Sequence, residues 1–223
     1  MNVAIAGAHG QIALRLTRLL AATGDTVIGM IRNPDHAEEV SHGGASPVLC
    51  DLENASVEDV ASAISDADLV VFAAGAGPGS GAERKLTMDR DGAIKLLDAT
   101  IAARVPRYVM ISGSGVENPP GGDGVFEVYM RAKAEADAAL AASDREWTIL
   151  RPGRLTDEPG TGNVRIDPEP FRRSISRDDF AGILASVIHE PRTAGRVLYL
   201  GSGDRTIGHA LEQALGRAGQ VSV

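Results

Sequence analysis

The chain has 223 residues, 43% of them hydrophobic and 23% charged, with a formal net charge of −8, the ordinary make-up of a soluble globular protein. A single cysteine, Cys50, excludes a disulfide framework and a cysteine-rich zinc site, and points to a reducing compartment. The acidic balance without a dense Lys/Arg block argues against nucleic acid as the main partner. The apolar runs fall far short of the roughly 18 residues a membrane helix needs, so the expectation is a cytoplasmic protein with no signal peptide and no membrane span.

Short β-branched runs alternate with longer helical patterns. Asn2–Ala6 reads as a first strand, and Gln11–Ala22 as a helix with Ile12, Leu16, Leu19 and Leu20 on its apolar side. Gly24-Asp25 ends that helix before a second strand, Thr26–Ile31. A helix over Pro34–His42 leads to a third strand, Ser46–Cys50, and another over Val57–Ile64 to a fourth, Leu69–Ala73. The spacing of Leu86, Ile94, Leu97 and Ile101 predicts one long helix over Glu83–Arg104. Tyr108–Ser112, Phe126–Ala142 and Thr148–Leu150 then read as strand, helix, strand. Asp178–His189, Val197–Leu200 and Thr206–Ala218 read as helix, strand and closing helix.

Repeated strand–helix–strand order implies a mainly parallel, doubly wound α/β sheet with helices on both faces, here of about seven strands in one Rossmann-like domain spanning residues 1–223. The wholly apolar run Leu69–Ala73 suits a strand buried on both faces. Two Gly/Pro-rich stretches, 113–125 and 152–175, follow strands. They belong at the carboxyl edge of the sheet, either as loops over a substrate or as tolerated surface insertions.

Gly7-Ala8-His9-Gly10-Gln11-Ile12-Ala13 lies between the first strand and the first helix. Gly7 permits a tight turn, Gly10 lets backbone approach a pyrophosphate, and the helix start points N–H groups at the phosphates. The string is weak alone, but its place between strand and helix is the one dinucleotide binding requires. An NAD site usually has Asp or Glu after the second strand; this chain has Arg32, suited to a 2′-phosphate, so the predicted cofactor is NADP(H). Asp51-Leu52 and Ala73–Gly77, the latter including Ala73, Ala74 and Gly75, follow the third and fourth strands and are expected to flank the adenine and the riboses, the small residues of the latter serving either a ligand or a plain turn. His9 either donates to a phosphate or is a surface turn residue.

Tyr129 and Lys133 form Y-x-x-x-K on a predicted helix and so share one face. A neighbouring ammonium favours phenolate, which prepares a tyrosine to exchange a proton with a carbonyl or alcohol oxygen while hydride moves. Ser112 and Ser114, at the end of the fifth strand, are both candidates to hydrogen-bond that oxygen.

With these motifs in order, the chain resembles the short-chain dehydrogenase/reductase superfamily, in its atypical, NAD-dependent epimerase/dehydratase-like branch of small single-domain NAD(P)H-binding proteins. Asp89-Arg90-Asp91-Gly92-Ala93, Arg151-Pro152-Gly153-Arg154-Leu155 and Ile175-Ser176-Arg177-Asp178-Asp179 extend the match over nearly the whole chain. The resemblance implies NADP(H) across the carboxyl edge and a catalytic set of Asp89, Ser114 or Ser112, Tyr129 and Lys133, with Lys133 also holding the nicotinamide ribose. Asp89 replaces the Asn of extended members, and the serine-to-tyrosine spacing exceeds that of the simplest ones, so the choice of serine stays open.

The resulting expectation is an NADPH-dependent reductase of a small carbonyl, quinone or flavin-like acceptor, acting as monomer or homodimer. The alternatives are an NADP(H)-sensing regulator and a nucleotide-sugar epimerase. No metal-site spacing is found among His36, His42, His189 and His209. Arg151-Pro152-Gly153-Arg154, after the sixth strand, is expected either to contact cofactor or an anionic substrate, or simply to end the strand at Pro152 and Gly153. Arg165, Arg172, Arg173 and Arg177 read as a solvated mixed-charge face, and Trp147 as packing.

Overall fold

The computed structural model of the chain describes residues 1–77 and 79–217. Strand β1 (Asn2–Ala6) turns into helix α1 (Gln11–Ala22), followed by β2 (Thr26–Ile31). A 3-10 turn, Pro34–His36, opens α2 (Ala37–His42) before β3 (Ala45–Leu49), α3 (Val57–Ala63) and β4 (Leu69–Phe72). Short α4 (Ala82–Arg84) continues through a π-helical stretch, Lys85–Gly92, into α5 (Ala93–Ala102). Then come β5 (Arg107–Ile111), α6 (Val125–Ala141), β6 (Glu146–Pro152), β7 (Leu155–Thr156), β8 (Asn163–Asp167) and β9 (Ile175–Ser176). Helix α7 (Arg177–Ile188), β10 (Arg196–Ser202), β11 (Arg205–Thr206) and α8 (Ile207–Arg217) follow. Ala218, the predicted end of the closing helix, lies outside the described residues.

The main sheet has the order β11-β8-β10-β6-β5-β4-β1-β2-β3. Its seven parallel strands, β3 through β10, are the predicted ones. The sheet has nine strands rather than seven because β8 and β11 add an antiparallel edge. The stretch 152–175 is therefore not simply a loop: it contains β8 and the small parallel pair β7–β9. Only Val164 and Ile166 mark the inward face of β8, too short an alternation to outweigh the glycines and prolines around it.

Alternate residues of each central strand feed two apolar layers. Val3, Ile5 and Val109 meet α1, α7 and α8, whereas Ala4, Ala6, Tyr108 and Met110 meet α3, α5 and α6. In α1 the inward face is Ala13, Leu16, Thr17 and Leu20; Leu19, predicted inward, is exposed. Ser56 and Asp59 form a capping box on α3, and the Ser176 hydroxyl accepts from the Asp179 N–H at 3.0 Å to start α7. The long helix predicted over 83–104 is interrupted by the π-helical stretch, a local widening often found at functional sites, and Asp89 lies within it.

Candidate cofactor cleft and substrate cavity

The chain order reverses between β1 and β4, neighbours in the sheet, and open α/β sheets bind ligands at such a point. Gly7 leaves β1 with φ +80°, and a β-carbon on it would lie 2.7 Å from Ala74 Cα, so no other residue fits without moving the β4 loop. Gly10 precedes α1 with no side-chain cap, and the first turn carries no acidic residue. The N-terminal N–H groups of this 12-residue helix are thus left for an anion.

Around this turn lies a cleft of about 260 Å³ lined by Gly7, His9, Gly10, Arg32, Asp51, Leu52, Ala73, Ala74 and Gly75. Gln11 and Ile12 do not line it; they lie in the first turn of α1, where their backbone N–H groups are among those at the helix start. His9 stacks on His36 at 3.5 Å between centroids and bonds Glu39 at 2.8 Å, which fixes its ring beside the turn. Both carboxylate oxygens of Asp51 are used within its own loop, by the Glu53 N–H and the Asn54 amide.

Arg32 is half-exposed at the rim and lies 3.5 Å from Glu53. Arg84 also lines the cleft, paired to Glu53 at 3.0 Å and donating to the Ala76 carbonyl at 2.9 Å. Burial pushes the Glu53 carboxyl up, but hydrogen bonds from Arg84 and Thr87 outweigh it and hold the group below its ordinary range. Arg84 was not singled out from the sequence: it lies on a helix far from the second strand, and no local pattern marks it.

A second, larger cavity of about 740 Å³ opens beyond β5 and β6, lined among others by Ser114, Asn118, Phe126, Tyr129, Met130, Arg154, Arg172 and Arg173. Between the two spaces runs a line of contacts. Asp89, 2% exposed, accepts from the Ala76 N–H at 3.2 Å and lies 3.6 Å from the Lys133 ammonium. Lys133 donates to the Ile111 carbonyl at 3.0 Å and lies 5.9 Å from the centre of the Tyr129 ring. Lys85, which the sequence did not single out, lies 5.4 Å from the same ring and is tied to the Gly77 carbonyl.

The two serines are placed differently. Ser112 is buried and donates to Asp137 at 2.8 Å, away from the cavity lining, whereas Ser114 lines the cavity and donates to the Phe171 carbonyl at 3.3 Å. Asp137 also accepts from Arg151 at 3.0 Å, and Arg151 reaches the Tyr199 hydroxyl at 2.7 Å. Burial pushes the Asp137 carboxyl up despite the Ser112 hydrogen bond and the Arg151 charge, and its Oδ1 has no partner.

The arginines correct the mixed-charge reading. Arg165 pairs with Asp167 at 2.9 Å and Arg177 with Asp157 at 2.7 Å, but Arg172 and Arg173 join Arg154 on the cavity wall. Gly153 makes this possible, because a β-carbon there would lie 1.7 Å from the Arg173 carbonyl oxygen. Gly153→Ala is expected to displace the 171–174 segment and cost about 1–3 kcal/mol, measured by urea unfolding. Trp147 is half-buried against the apolar layer, as expected of packing. Among the described residues there is no cluster of metal-ligand type and no helix long and apolar enough to cross a membrane.

Residues 7–191 match a family model described as NAD(P)H-binding. A Bacillus subtilis protein named as an uncharacterised sugar epimerase is 36% identical over 214 residues, covering 96% of this chain and all of the relative. A solved Bacillus halodurans chain, titled a candidate NAD-dependent epimerase/dehydratase, is 35% identical with a TM-score of 0.88, over 96% of this chain and 99% of that one. An oxidoreductase of Lactococcus lactis is 26% identical with a TM-score of 0.86, over 97% of each chain. The resemblance drawn from the motifs is borne out: the chain belongs to the NAD(P)H-binding, epimerase/dehydratase-like family of Rossmann-fold proteins.

Proposed function

We propose that the protein is an NADPH-dependent oxidoreductase of a small carbonyl, quinone or flavin-like acceptor. The observation that carries this reading is the pairing of Tyr129 and Ser114 on one large cavity with Lys133 buried beside that tyrosine and linked through Asp89 to the loop of the cofactor cleft.

The residues of the cleft fit the cofactor. The Gly7–Gly10 turn and the uncapped start of α1 hold the pyrophosphate, and Arg32 with Arg84 hold the 2′-phosphate. When bound, NADPH supplies the hydride. Ser114 orients the acceptor oxygen, and Tyr129 gives it a proton. Lys133 favours the phenolate left behind and holds the nicotinamide ribose. Asp89 fixes the Lys133 ammonium and the Ala76 backbone together. Ser112 acts only through Asp137, as a positioning residue.

The cofactor preference has its own test. Arg32→Ala is expected to lower the NADP(H)-over-NAD(H) affinity ratio by about 10- to 100-fold, the worth of a charge-assisted hydrogen bond, with a further fall when Arg84→Ala is added. Titration of both cofactors by fluorescence reads it; an unchanged ratio in the double variant removes the 2′-phosphate assignment.

A second reading draws on the names of the two Bacillus relatives. In a sugar epimerase the same tyrosine would take and return a proton at one substrate carbon-bound oxygen, with no net use of cofactor. Net NADPH consumption separates the two, and turnover in either sense separates both from a sensor that only holds cofactor.

A further inference from the structure

We infer that the cavity takes a substrate with an anionic group, a carboxylate or a phosphate, held by Arg154, Arg172 and Arg173 on its wall. The inference rests on the reading of this cavity as the substrate side of the site.

The charge pattern carries it. The chain has a net charge of −8, yet this cavity of about 740 Å³ is lined by three arginines and by no Asp or Glu. The neighbouring arginines have carboxylate partners: Arg151 has Asp137, Arg165 has Asp167 and Arg177 has Asp157. Among the described residues, Arg154, Arg172 and Arg173 form no ion pair. Like charges gathered on one concave wall raise each other's energy and focus a positive field into the cavity, and an anion relieves both. Guanidinium groups also match carboxylate and phosphate oxygens in a fork that lysine does not offer.

Backbone contacts hold the arginine segment there without a carboxylate partner, and the Arg173 guanidinium makes only a long hydrogen bond, at 3.4 Å, to the Ser202 carbonyl. The Phe171 carbonyl accepts from Ser114, the Ser174 carbonyl from the Ser202 N–H at 2.8 Å, and the Arg154 carbonyl from the Ile175 N–H at 3.0 Å. Gly153 and Gly201 give the segment room: β-carbons on them would meet the Arg173 carbonyl oxygen at 1.7 Å and the Arg173 β-carbon at 2.8 Å. The Ser114 hydroxyl thus joins the arginine segment to the place where the acceptor oxygen would sit. A substrate bearing both a carbonyl and an anionic group suits that arrangement.

The test is calorimetric titration of the protein, its cofactor site filled with NADP+ or NAD+, with 4-carboxybenzaldehyde, phenyl phosphate and benzaldehyde. The expected result is that at least one anionic probe binds about tenfold or more tightly than benzaldehyde, the worth of one charge-assisted hydrogen bond. That preference should fall with added salt and vanish in the Arg172→Gln, Arg173→Gln variant, with cofactor affinity retained as proof of folding. Arg154→Gln alone, expected to weaken it in part, serves should the double variant not fold. The two anionic probes distinguish a carboxylate from a phosphate site.

Equal binding of charged and neutral probes, no binding of either anion, or a preference that survives both variants would overturn the inference. A bound 4-carboxybenzaldehyde that NADPH does not reduce counts instead against the reductase reading and leaves the anion site standing. Benzaldehyde bound and reduced as readily as its carboxylate does the reverse.

Discussion

Replacing Tyr129 by phenylalanine is expected to lower NADPH turnover with a carbonyl acceptor by about 10²- to 10⁴-fold, the usual contribution of a positioned general acid. Cofactor affinity should stay within a few-fold, because the phenol lines the large cavity and not the cofactor cleft. The ring itself is kept by phenylalanine, so the contacts with Phe126 and with the flanking Lys85 and Lys133 persist, and the change isolates the hydroxyl. Steady-state kinetics should show the loss in kcat, with KM little altered. An unchanged kcat with a carbonyl acceptor removes the proton-transfer role. With a flavin acceptor a smaller effect is expected, since hydride transfer to a flavin needs little proton help from the protein.

Arg151→Met is expected to lower stability by about 3–5 kcal/mol, because it leaves the Asp137 carboxylate buried without its cation. Asp137 is 3% exposed, and without Arg151 its one remaining hydrogen-bond partner among the described residues is the neutral Ser112 hydroxyl, with the Lys133 charge acting on it only through space. Burial already pushes this carboxyl up from its ordinary value against the pull of Ser112 and Arg151. A group with a raised folded-state pKa contributes stability that is present below its unfolded value and is lost as pH rises through the folded one. Removing the guanidinium raises the folded value further, so the variant should lose still more stability than the wild type as pH climbs towards neutrality. The gap between the two should narrow as pH falls into the ordinary carboxylate range, where Asp137 is protonated in both. Urea unfolding across that range measures it; a gap that widens on acidification contradicts this account of the pair.

Much of the architecture was legible because most of the parallel strands are buried apolar runs and strand and helix patterns alternate along the chain. The seven parallel strands were found this way, and Gly7 through Gly10 was recognisable because the turn, the close approach and the helix start all constrain the same few residues. What was missed shares one property. β8 depends on pairing with β10, whose partner residues Tyr199–Ser202 are distant in sequence, and its own five residues carry little periodicity. The π-helical stretch around Asp89 is set by where Asp89 must meet Ala76 and Lys133, not by the spacing of Leu86 and Ile94.

The same holds for the site. Tyr129 and Lys133 announce themselves because a helix turn makes them neighbours. Ser112 and Ser114 could not be told apart in sequence, since two residues along a strand end decide whether a hydroxyl meets buried Asp137 or open space. Arg84 and Lys85 are placed by α4 and the π-helical stretch after it, Arg172 and Arg173 by a loop at the sheet edge, and charge composition alone made the latter two look like solvated surface. Their position on the cavity wall is a tertiary fact, fixed by the absence of a side chain at Gly153.

The most direct test of the central claim is to follow hydride from NADPH carrying deuterium at C4, offered with a panel of aldehydes, quinones and flavins. Net oxidation of NADPH is expected with at least one acceptor, with deuterium recovered in the carbon-centred reduced product where the acceptor is an aldehyde. Tight NADPH binding with no oxidation by any acceptor would contradict it.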